Sequence, residues 1–519
     1  MTIHLSDLSE SARTLLREQT IELPSWAFGN SGTRFKVFPS PGTPRNAYEK
    51  IDDAAQVHHF TGITPRVSLH IPWDMVDDFR DLAAHARSQG ITLGTINSNV
   101  FQDDDYKFGS LTNSDEAIRR KAIDAHLRCI DVMNATGSDT LKIWLGDGTN
   151  YPGQDSIAER QERLANSLSV IYENLAPHQR LLLEYKFFEP AFYHTDVPDW
   201  GTALAHVTAL GERAVVCLDT GHHAPGTNIE FIVVQLLRAG RLGAFDFNSR
   251  FYADDDLIVG AADPFQLFRI MHEIVSFGAL APTSGVNFML DQCHNLEEKI
   301  PGEILSAMNV QEATAKALLV DRDALATAQD EHDVLAANQV LMDAFSSDVR
   351  PLLGELREEQ GLDPDPLAAY AASGYSERIC EQRVGGQQAS WAHDDHRRRY
   401  RPRGLLGARP AGRVRRRAPR HRGVLPLPER ARRPPGACSH GRGWRGSIVR
   451  GSIGRCGCWR VRVGRIGRGR CWRVRALRGR GRRGLRVGHP RAVARNPGWP
   501  ARGQPARPRG CDRNRHVGR

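Results

Sequence analysis

The last 127 residues contain no lysine and almost no acidic side chains. From His393 to Arg519 there are 39 arginines and four acids, which gives a formal net charge of +35. Residues 1–392 carry the other 31 basic and 56 acidic side chains, a net charge of −25. A change of this size within one chain predicts a boundary near residue 392.

Two interpretations of residues 393–519 stay open. An Arg/Gly-rich tail could bind nucleic acid non-specifically, through phosphate contacts and stacking. Alternatively, GC-rich DNA translated in a shifted frame yields the same enrichment in Arg, Gly, Pro and Ala. The absence of lysine favours this second interpretation. The five tail cysteines lack the paired spacing of a zinc site. We expect this segment to be disordered or the product of a frame error.

Residues 1–392 lack long apolar runs and closely spaced cysteines. No stretch of 18 apolar residues occurs, which excludes a membrane-spanning helix. The first 20 residues have no apolar core of a secretory signal. The cysteines of this part are widely spaced and predict free thiols in a reducing compartment, hence a cytoplasmic protein. They are Cys129, Cys217, Cys293 and Cys380.

What this part does contain is an alternation of short apolar runs with amphipathic helical stretches such as "DMVDDFRDLAAHARSQG". This order predicts an α/β fold, a (β/α)₈ TIM barrel over residues 1–296, followed by a helical extension over 297–392. An open doubly wound sheet would require a glycine-rich phosphate turn, and "FGNSGTRF" has the wrong spacing. The predicted strand runs are 21–28, 66–71, 91–97, 140–146, 180–186, 214–220, 242–248 and 285–291.

Polar side chains stand at or just past the ends of seven of these runs. In a barrel of this kind, the loops that follow the strands form the active-site face. The carboxylates gathered there would repel one another or take up protons unless divalent cations compensate them. Oxygen-rich ligand sets suit Mg²⁺, Mn²⁺ or Co²⁺, and a single imidazole is compatible with Mn²⁺ and Co²⁺. The residues are His70, Asn97, Trp144, Glu184 with Lys186, Asp219 with His222, Asp246 with Asp254 and Asp256, and Asp291 with His294.

Four ordered motifs, "LEYKFFEP", "CLDTGHH", "FDFNSRFYADDDL" and "FMLDQCHN", resemble L-rhamnose isomerases of the type related to xylose isomerase. The resemblance runs from about residue 20 to about residue 392. It implies an aldose–ketose isomerase that converts L-rhamnose to L-rhamnulose by a hydride shift assisted by two metal ions. It also implies a small-molecule sugar substrate and a homotetramer.

The resemblance implies two metal sites, with Mn²⁺ favoured over Mg²⁺ and Co²⁺. The structural metal would be held by Glu184, Asp219, Asp246 and Asp291. Asp219 would bridge to the catalytic metal, which would also be held by His222, Asp254 and Asp256. Relatives of this type can carry histidine where Asp246 stands, so this chain departs from them. We expect the all-carboxylate first site to favour harder cations.

The resemblance also suggests roles around the metals. His70, Lys186 and Asp291 are the predicted catalytic residues: His70, oriented by Asp74, would assist ring opening, and Lys186 would hydrogen-bond O1 as charge develops. Trp144 would form an apolar wall beside the sugar. Phe35, in the loop 29–42, would contact the methyl end of a deoxy sugar.

Three alternatives remain open at this point. The substrate could be another aldose, as in the D-allose/D-psicose or xylose/xylulose pairs. A metal-dependent phosphodiesterase on the same barrel would need three metals and a His-rich ligand set, whereas carboxylates dominate here. Finally, the protein could act as a nucleic-acid binder through its basic tail.

Overall fold

The structure is a computed structural model that describes residues 1–33, 36–189, 194–249 and 256–385, together with the backbone of 462–465 and 472–475. The chain divides into two units. The first unit holds a barrel with its helices. Of the second, the structure describes two strands, which pair antiparallel with Val463 opposite Val474. The assignment of residues 393–519 to a tail outside the enzyme stays a prediction.

The eight barrel strands fall where the apolar runs predicted them, within four residues at each end. The barrel strands are the first and the fourth to tenth of the following series. In chain order the strands are β1 (Glu22–Pro24), β2 (Gly32–Thr33), β3 (Lys36–Val37), β4 (Arg66–Ile71), β5 (Thr92–Ser98), β6 (Thr140–Ile143), β7 (Arg180–Glu184), β8 (Ala214–Asp219), β9 (Leu242–Phe247), β10 (Asn287–Leu290), β11 (Arg462–Arg465) and β12 (Trp472–Arg475).

The helices of the described residues alternate with the barrel strands and then continue alone towards residue 382. Their ends follow local chemistry: in the fourth helix of the series, the Asp115 side chain accepts from the amide of Ala117, and Gly137 ends the helix at φ 82°. In chain order they are α1 (Glu10–Arg17), α2 (Ala47–Thr61), α3 (Phe79–Ser88), α4 (Glu116–Thr136), α5 (Ile157–Glu173), α6 (Trp200–Leu210), α7 (Ile229–Arg238), α8 (Pro264–Ser276), α9 (Lys299–Leu318), α10 (Arg322–Asp330), α11 (Val334–Phe345), α12 (Arg350–Glu359), α13 (Pro366–Ala372) and α14 (Tyr375–Gln382).

Eight parallel strands close into a barrel in the order β1-β10-β9-β8-β7-β6-β5-β4. One helix, from α2 to α9, follows each barrel strand, which confirms the predicted (β/α)₈ fold. Helix α9 packs against α8 on one side and against α2 on the other. It therefore takes the eighth helical position, although the domain boundary proposed at residue 296 precedes it. That boundary and the extension after it remain proposals.

A small apolar cluster lies below the strand ends of β7, β8 and β9. Leu182, Val215, Cys217 and Ala244 form a small buried cluster of their own, distinct from the main core between strands and helices. Because side chains alternate across a strand, Glu184 lies on the same face as Leu182, two residues further along. The apolar cluster is therefore the floor beneath the acidic residues at the strand ends.

Two sequence-based expectations about the chain are met within the described residues. Cys129, Cys217, Cys293 and Cys380 are free cysteines. No helix in this part of the chain combines the length and the apolarity needed to cross a bilayer.

His126 gives a pH-dependent stability that can be tested. The ring is fully buried in α4, Nδ1 lies 2.8 Å from the carbonyl oxygen of Ala122, and burial lowers its pKa to about 4. The folded protein therefore favours the neutral ring. The stabilisation that the buried neutral ring provides is complete above pH 6.5 and is lost as the pH falls towards 4. Relative to His126→Gln, the wild type is expected to lose roughly 3 kcal/mol of unfolding free energy across this range.

The measurement is urea denaturation of both proteins at several pH values between 7 and 4, with chelator present. The acidic residues at the strand ends titrate alike in both proteins, so their contribution cancels in the difference between the two unfolding free energies. A difference that does not change with pH would refute the proposed role of His126.

Candidate metal centre

Four acidic side chains from neighbouring strand ends meet at one end of the barrel. Glu184 ends β7 and Asp219 ends β8, while Asp246 lies directly opposite Asp219 on β9. Asp291 follows the last residue of β10. One carboxylate oxygen from each of the four lies within 4.8 Å of the corresponding oxygens of the others. The structure thus brings together the four residues that the sequence assigned to the structural metal.

His222 joins this group from the turn after β8. Its ring and the carboxylates of Glu184 and Asp219 also have ligand atoms within 4.8 Å of one another. Nδ1 lies 2.9 Å from the carbonyl oxygen of Tyr185 and 3.1 Å from Oε1 of Glu184. A main-chain carbonyl that holds one ring nitrogen is common among histidines that bind metal through the other.

Asp219 is fixed through one of its two oxygens. Oδ1 accepts from the amide of Gly221 at 2.5 Å and from Nδ2 of Asn248 at 2.9 Å. A Cβ atom at position 221 would lie 2.8 Å from Nδ2 of Asn248, so only glycine permits this close approach. Oδ2 is buried without a hydrogen-bond partner in the described residues. Asp219 therefore presents one uncommitted oxygen to the centre.

Asp246 is paired with a lysine that sequence reasoning missed. The ammonium of Lys142, on β6, donates to Oδ2 of Asp246, and both side chains are almost fully buried. The thiol of Cys217 donates to the same oxygen at 3.3 Å. Oδ1 is buried and has no hydrogen-bond partner among the described residues. The signal in the sequence was a lysine inside the apolar run "TLKIWLG", two residues before Trp144.

Burial and mutual repulsion shift the pKa values of these acids. Burial is the main cause that raises the pKa of Asp291 to about 6 and that of Asp246 to about 7, and it raises the pKa of Asp219 well above its ordinary value. Repulsion from the neighbouring acids adds to this effect, while Lys142 lowers the pKa of Asp246 and Asp291 and His222 lowers that of Asp219. Burial opposes ionisation of Glu184 too, but Lys142 and His222 outweigh it and hold the pKa of Glu184 below its usual range. Three of the four acids would gain from a further cation.

The residues present fit a divalent cation. Two fully buried carboxylate oxygens, Oδ2 of Asp219 and Oδ1 of Asp246, have no hydrogen-bond donor in the described part of the chain. Such atoms cost free energy unless a donor or cation faces them. The set of four carboxylates and one imidazole suits Mn²⁺, Mg²⁺ or Co²⁺. Lys142 supplies one positive charge and so offsets only part of the acidic charge.

Aromatic side chains line the neighbouring part of the barrel mouth. The His70 ring stacks on Trp73 with centroids 3.7 Å apart and meets the edge of Trp26 at 5.5 Å. Trp26, which sequence reasoning also missed, donates from Nε1 to Oδ1 of Asp291 at 3.0 Å. It thereby links His70 to the acidic group. Asp74 accepts from the main-chain amide of His70 at 2.7 Å, so this bond positions the backbone at His70.

Lys186, predicted to hydrogen-bond O1, and Trp144, predicted to form a wall beside the sugar, lie together. Nζ of Lys186 stands 5.1 Å from the centroid of the Trp144 ring and donates to Oε2 of Glu189 at 3.0 Å. The ring of Phe101 meets the Trp144 ring edge-on, with centroids 4.7 Å apart. Together these rings form an apolar surface beside the lysine.

The remaining predicted residues are distributed differently. Phe35 and Asp254 lie outside the described residues. Asp256 is described, has φ 47°, and its carbonyl accepts from the amide of Cys293 at 3.4 Å. Among the described residues, the close groups of ligand atoms do not include its carboxylate. The His294 ring packs against Gly302 of α9.

Comparison with known proteins defines the class. Residues 52–278 match the family described as "Xylose isomerase-like TIM barrel". The chain is 44% identical over 373 residues to a protein of Rhizobium meliloti (strain 1021) named "Probable sugar isomerase", covering 70% of this chain and 86% of that one. A protein of Mesorhizobium japonicum with the same name is 42% identical over 381 residues, covering 72% of this chain and 88% of that one. The chain belongs to the xylose isomerase-like TIM barrel family.

Among solved structures, an L-ribulose 3-epimerase matches at 14% identity with a TM-score of 0.41, covering 61% of this chain and 98% of that one. A similarity this low carries no argument about activity.

Proposed function

We propose that this protein is a metal-dependent sugar isomerase that interconverts an aldose and a ketose, with L-rhamnose and L-rhamnulose as the preferred pair. The observation that carries the proposal is the group of Glu184, Asp219, Asp246 and Asp291, which offers oxygen ligands within 4.8 Å of one another at the barrel mouth. The name shared by the two rhizobial relatives supports the reaction class. The preference for rhamnose rests on the resemblance of the four sequence motifs.

Divalent ions held by these residues would polarise O1 and O2 of the open-chain sugar, the oxygens of the two carbons at which aldose and ketose interconvert. Glu184, Asp219, Asp246 and Asp291 would hold the first ion. Asp219 and His222, with Asp254 and Asp256, would hold the second. Mn²⁺ is the proposed ion, because the set combines carboxylates with one imidazole.

The protein groups around the ions would orient the sugar and exclude water. The Lys186 ammonium would donate to O1 as negative charge grows there, and its hydrogen bond to Glu189 orients it. His70 would receive or donate a proton at the ring oxygen during ring opening. The Trp144 ring, beside Lys186, would cover the apolar face of the sugar and shield the reacting carbons.

Chelation and metal return test the proposal directly. The full chain would be dialysed against EDTA and assayed with L-rhamnose, D-allose and D-xylose by following ketose formation. We expect activity to fall by at least about 100-fold and to return with Mn²⁺, because the protein groups alone supply little polarisation of the sugar oxygens.

The panel of sugars separates the alternatives. Highest kcat/KM with L-rhamnose supports the proposed substrate, and a higher value with D-allose or D-xylose would keep the reaction class and replace the sugar. Full activity in the chelated protein, verified metal-free by elemental analysis, would refute the metal-dependent proposal. The tetramer implied by the resemblance and the cytoplasmic location predicted from the cysteine spacing belong to the same proposal.

A further inference from the structure

The acidic centre contains donors that occupy one oxygen of each of three carboxylates. Oδ2 of Asp246 accepts from Lys142 and Cys217. Oδ1 of Asp219 accepts from the amide of Gly221 and from Asn248. A third donor is the indole of Trp26, which bonds Oδ1 of Asp291 at 3.0 Å. Each of these three acids is therefore left with one oxygen for a cation.

We propose that Lys142 and Trp26 are specificity-determining residues, which hold Asp246 and Asp291 as one-oxygen ligands and so select small divalent ions over Ca²⁺. This inference rests on the proposed metal centre, and it concerns which ion the centre accepts.

Coordination chemistry gives the reason. Ca²⁺ takes six to eight oxygens at about 2.3–2.6 Å and commonly obtains them by binding carboxylates through both oxygens. Mg²⁺ is held at about 2.0–2.1 Å in a near-octahedral shell, for which single oxygens from several carboxylates are well suited. A carboxylate with one oxygen already bonded to an ammonium or an indole N–H cannot turn both oxygens to the ion without losing that bond. The donors thus limit the number of oxygens that the centre can supply.

Burial makes these donor bonds costly to break. Lys142 is 2% exposed and Asp246 is fully buried, so separation of this pair would leave two uncompensated charges in the barrel interior.

The two donors can be removed separately. Lys142→Met removes the ammonium from Oδ2 of Asp246, which leaves only the weak thiol donor of Cys217 at that oxygen, and it also removes one positive charge. Trp26→Phe frees Oδ1 of Asp291 without any change of charge. Lost charge affects Mn²⁺ and Ca²⁺ alike, whereas lost donors favour the larger ion. The informative quantity is therefore the ratio of the two dissociation constants, Kd(Ca²⁺)/Kd(Mn²⁺).

The experiment measures this ratio in the full chain without sugar, with Mn²⁺ followed by electron paramagnetic resonance and Ca²⁺ by competition. We expect the ratio to fall by at least about tenfold in Lys142→Met and in Trp26→Phe, the scale typical of changes to groups that orient metal ligands. The control is Lys121→Met, a half-exposed lysine on α4 that pairs with Asp103 and Asp105. Its ratio should stay within about twofold of the wild type, a difference below 0.5 kcal/mol.

Circular dichroism establishes that each variant is folded. If Lys142→Met does not fold, Trp26→Phe alone decides the question. An unchanged ratio in a folded Trp26→Phe protein that binds Mn²⁺ would overturn the inference and leave the metal centre intact. A wild type that binds no Mn²⁺ would overturn the proposed centre and this inference with it.

Discussion

Replacement of Asp219 by asparagine is expected to abolish the proposed isomerase activity and to weaken Mn²⁺ binding by at least about 100-fold. This loss of affinity is larger than the one expected when only a group that orients a metal ligand is removed. The reason lies in the two donors that face Oδ1, the amide of Gly221 and Nδ2 of Asn248. An asparagine would turn its carbonyl oxygen to these donors. Its NH₂ group would then point where Oδ2 of Asp219 stood, and an amide nitrogen is no ligand for Mn²⁺.

The measurements are ketose formation with L-rhamnose and Mn²⁺ binding by electron paramagnetic resonance. Asp131→Asn, an exposed position on α4, is the matched control and should retain both properties. Mn²⁺ affinity within about tenfold of the wild type in the folded Asp219→Asn protein would count against Asp219 as a ligand, since one lost carboxylate bond should exceed about 1.4 kcal/mol.

Among the substitutions proposed for this protein, replacement of Arg160 by methionine should cause the largest loss of unfolding free energy, roughly 3–5 kcal/mol. Arg160 is buried in α5 and binds both oxygens of the buried Asp196, at 2.7–3.1 Å. It also donates to the carbonyl of Phe108 and to Oγ1 of Thr112. Without the guanidinium, Asp196 becomes an unpaired charge in the interior.

The free energy of unfolding in urea would be compared with that of Arg120→Met. Arg120 pairs with Asp124 at 3.0 Å on the exposed face of α4, and its loss should cost less than about 1 kcal/mol. The double variant Arg160→Met/Asp196→Asn should recover part of the lost stability, because the uncompensated charge is gone. Equal stability of Arg160→Met and Arg120→Met would show that the buried pair is dispensable.

The Arg160 network also bears on the candidate site. Oδ2 of Asp147, in the loop after β6, accepts from the amides of Ser110 and Thr112, and the carbonyl of Asp147 accepts from the amide of Asp196. This loop begins with Trp144, the residue after the end of β6. Loss of Arg160 is therefore expected to disturb the wall of the pocket as well as the stability of the fold.

The partial neutralisation of the acidic centre differs from the expectation based on composition. Four carboxylates in one barrel mouth predict a centre whose charge is balanced by metal ions alone. Lys142 instead provides an internal positive charge next to Asp246. The Lys142–Asp246 pair carries no net charge, so the centre holds less negative charge than its four carboxylates alone would give it.

The sequence by itself was sufficient to predict the barrel and the approach of the four acidic residues to one another. Apolar runs that alternate with amphipathic stretches have few ways to bury their faces, and the (β/α)₈ barrel is one of them. Since all parallel strands end on one face of a barrel, acids at strand ends such as Glu184 and Asp219 had to approach one another. Only local patterns were needed for these conclusions.

The tertiary structure alone decided which side chains surround those acids. Lys142 and Asp246 are 104 residues apart in the chain, and Trp26 and Asp291 are 265 apart. No periodicity or short motif reports such pairs, because they depend on the barrel register and on side-chain direction at the strand ends. Which oxygen of each acid is committed, and which remains for a cation, is set by these long-range contacts.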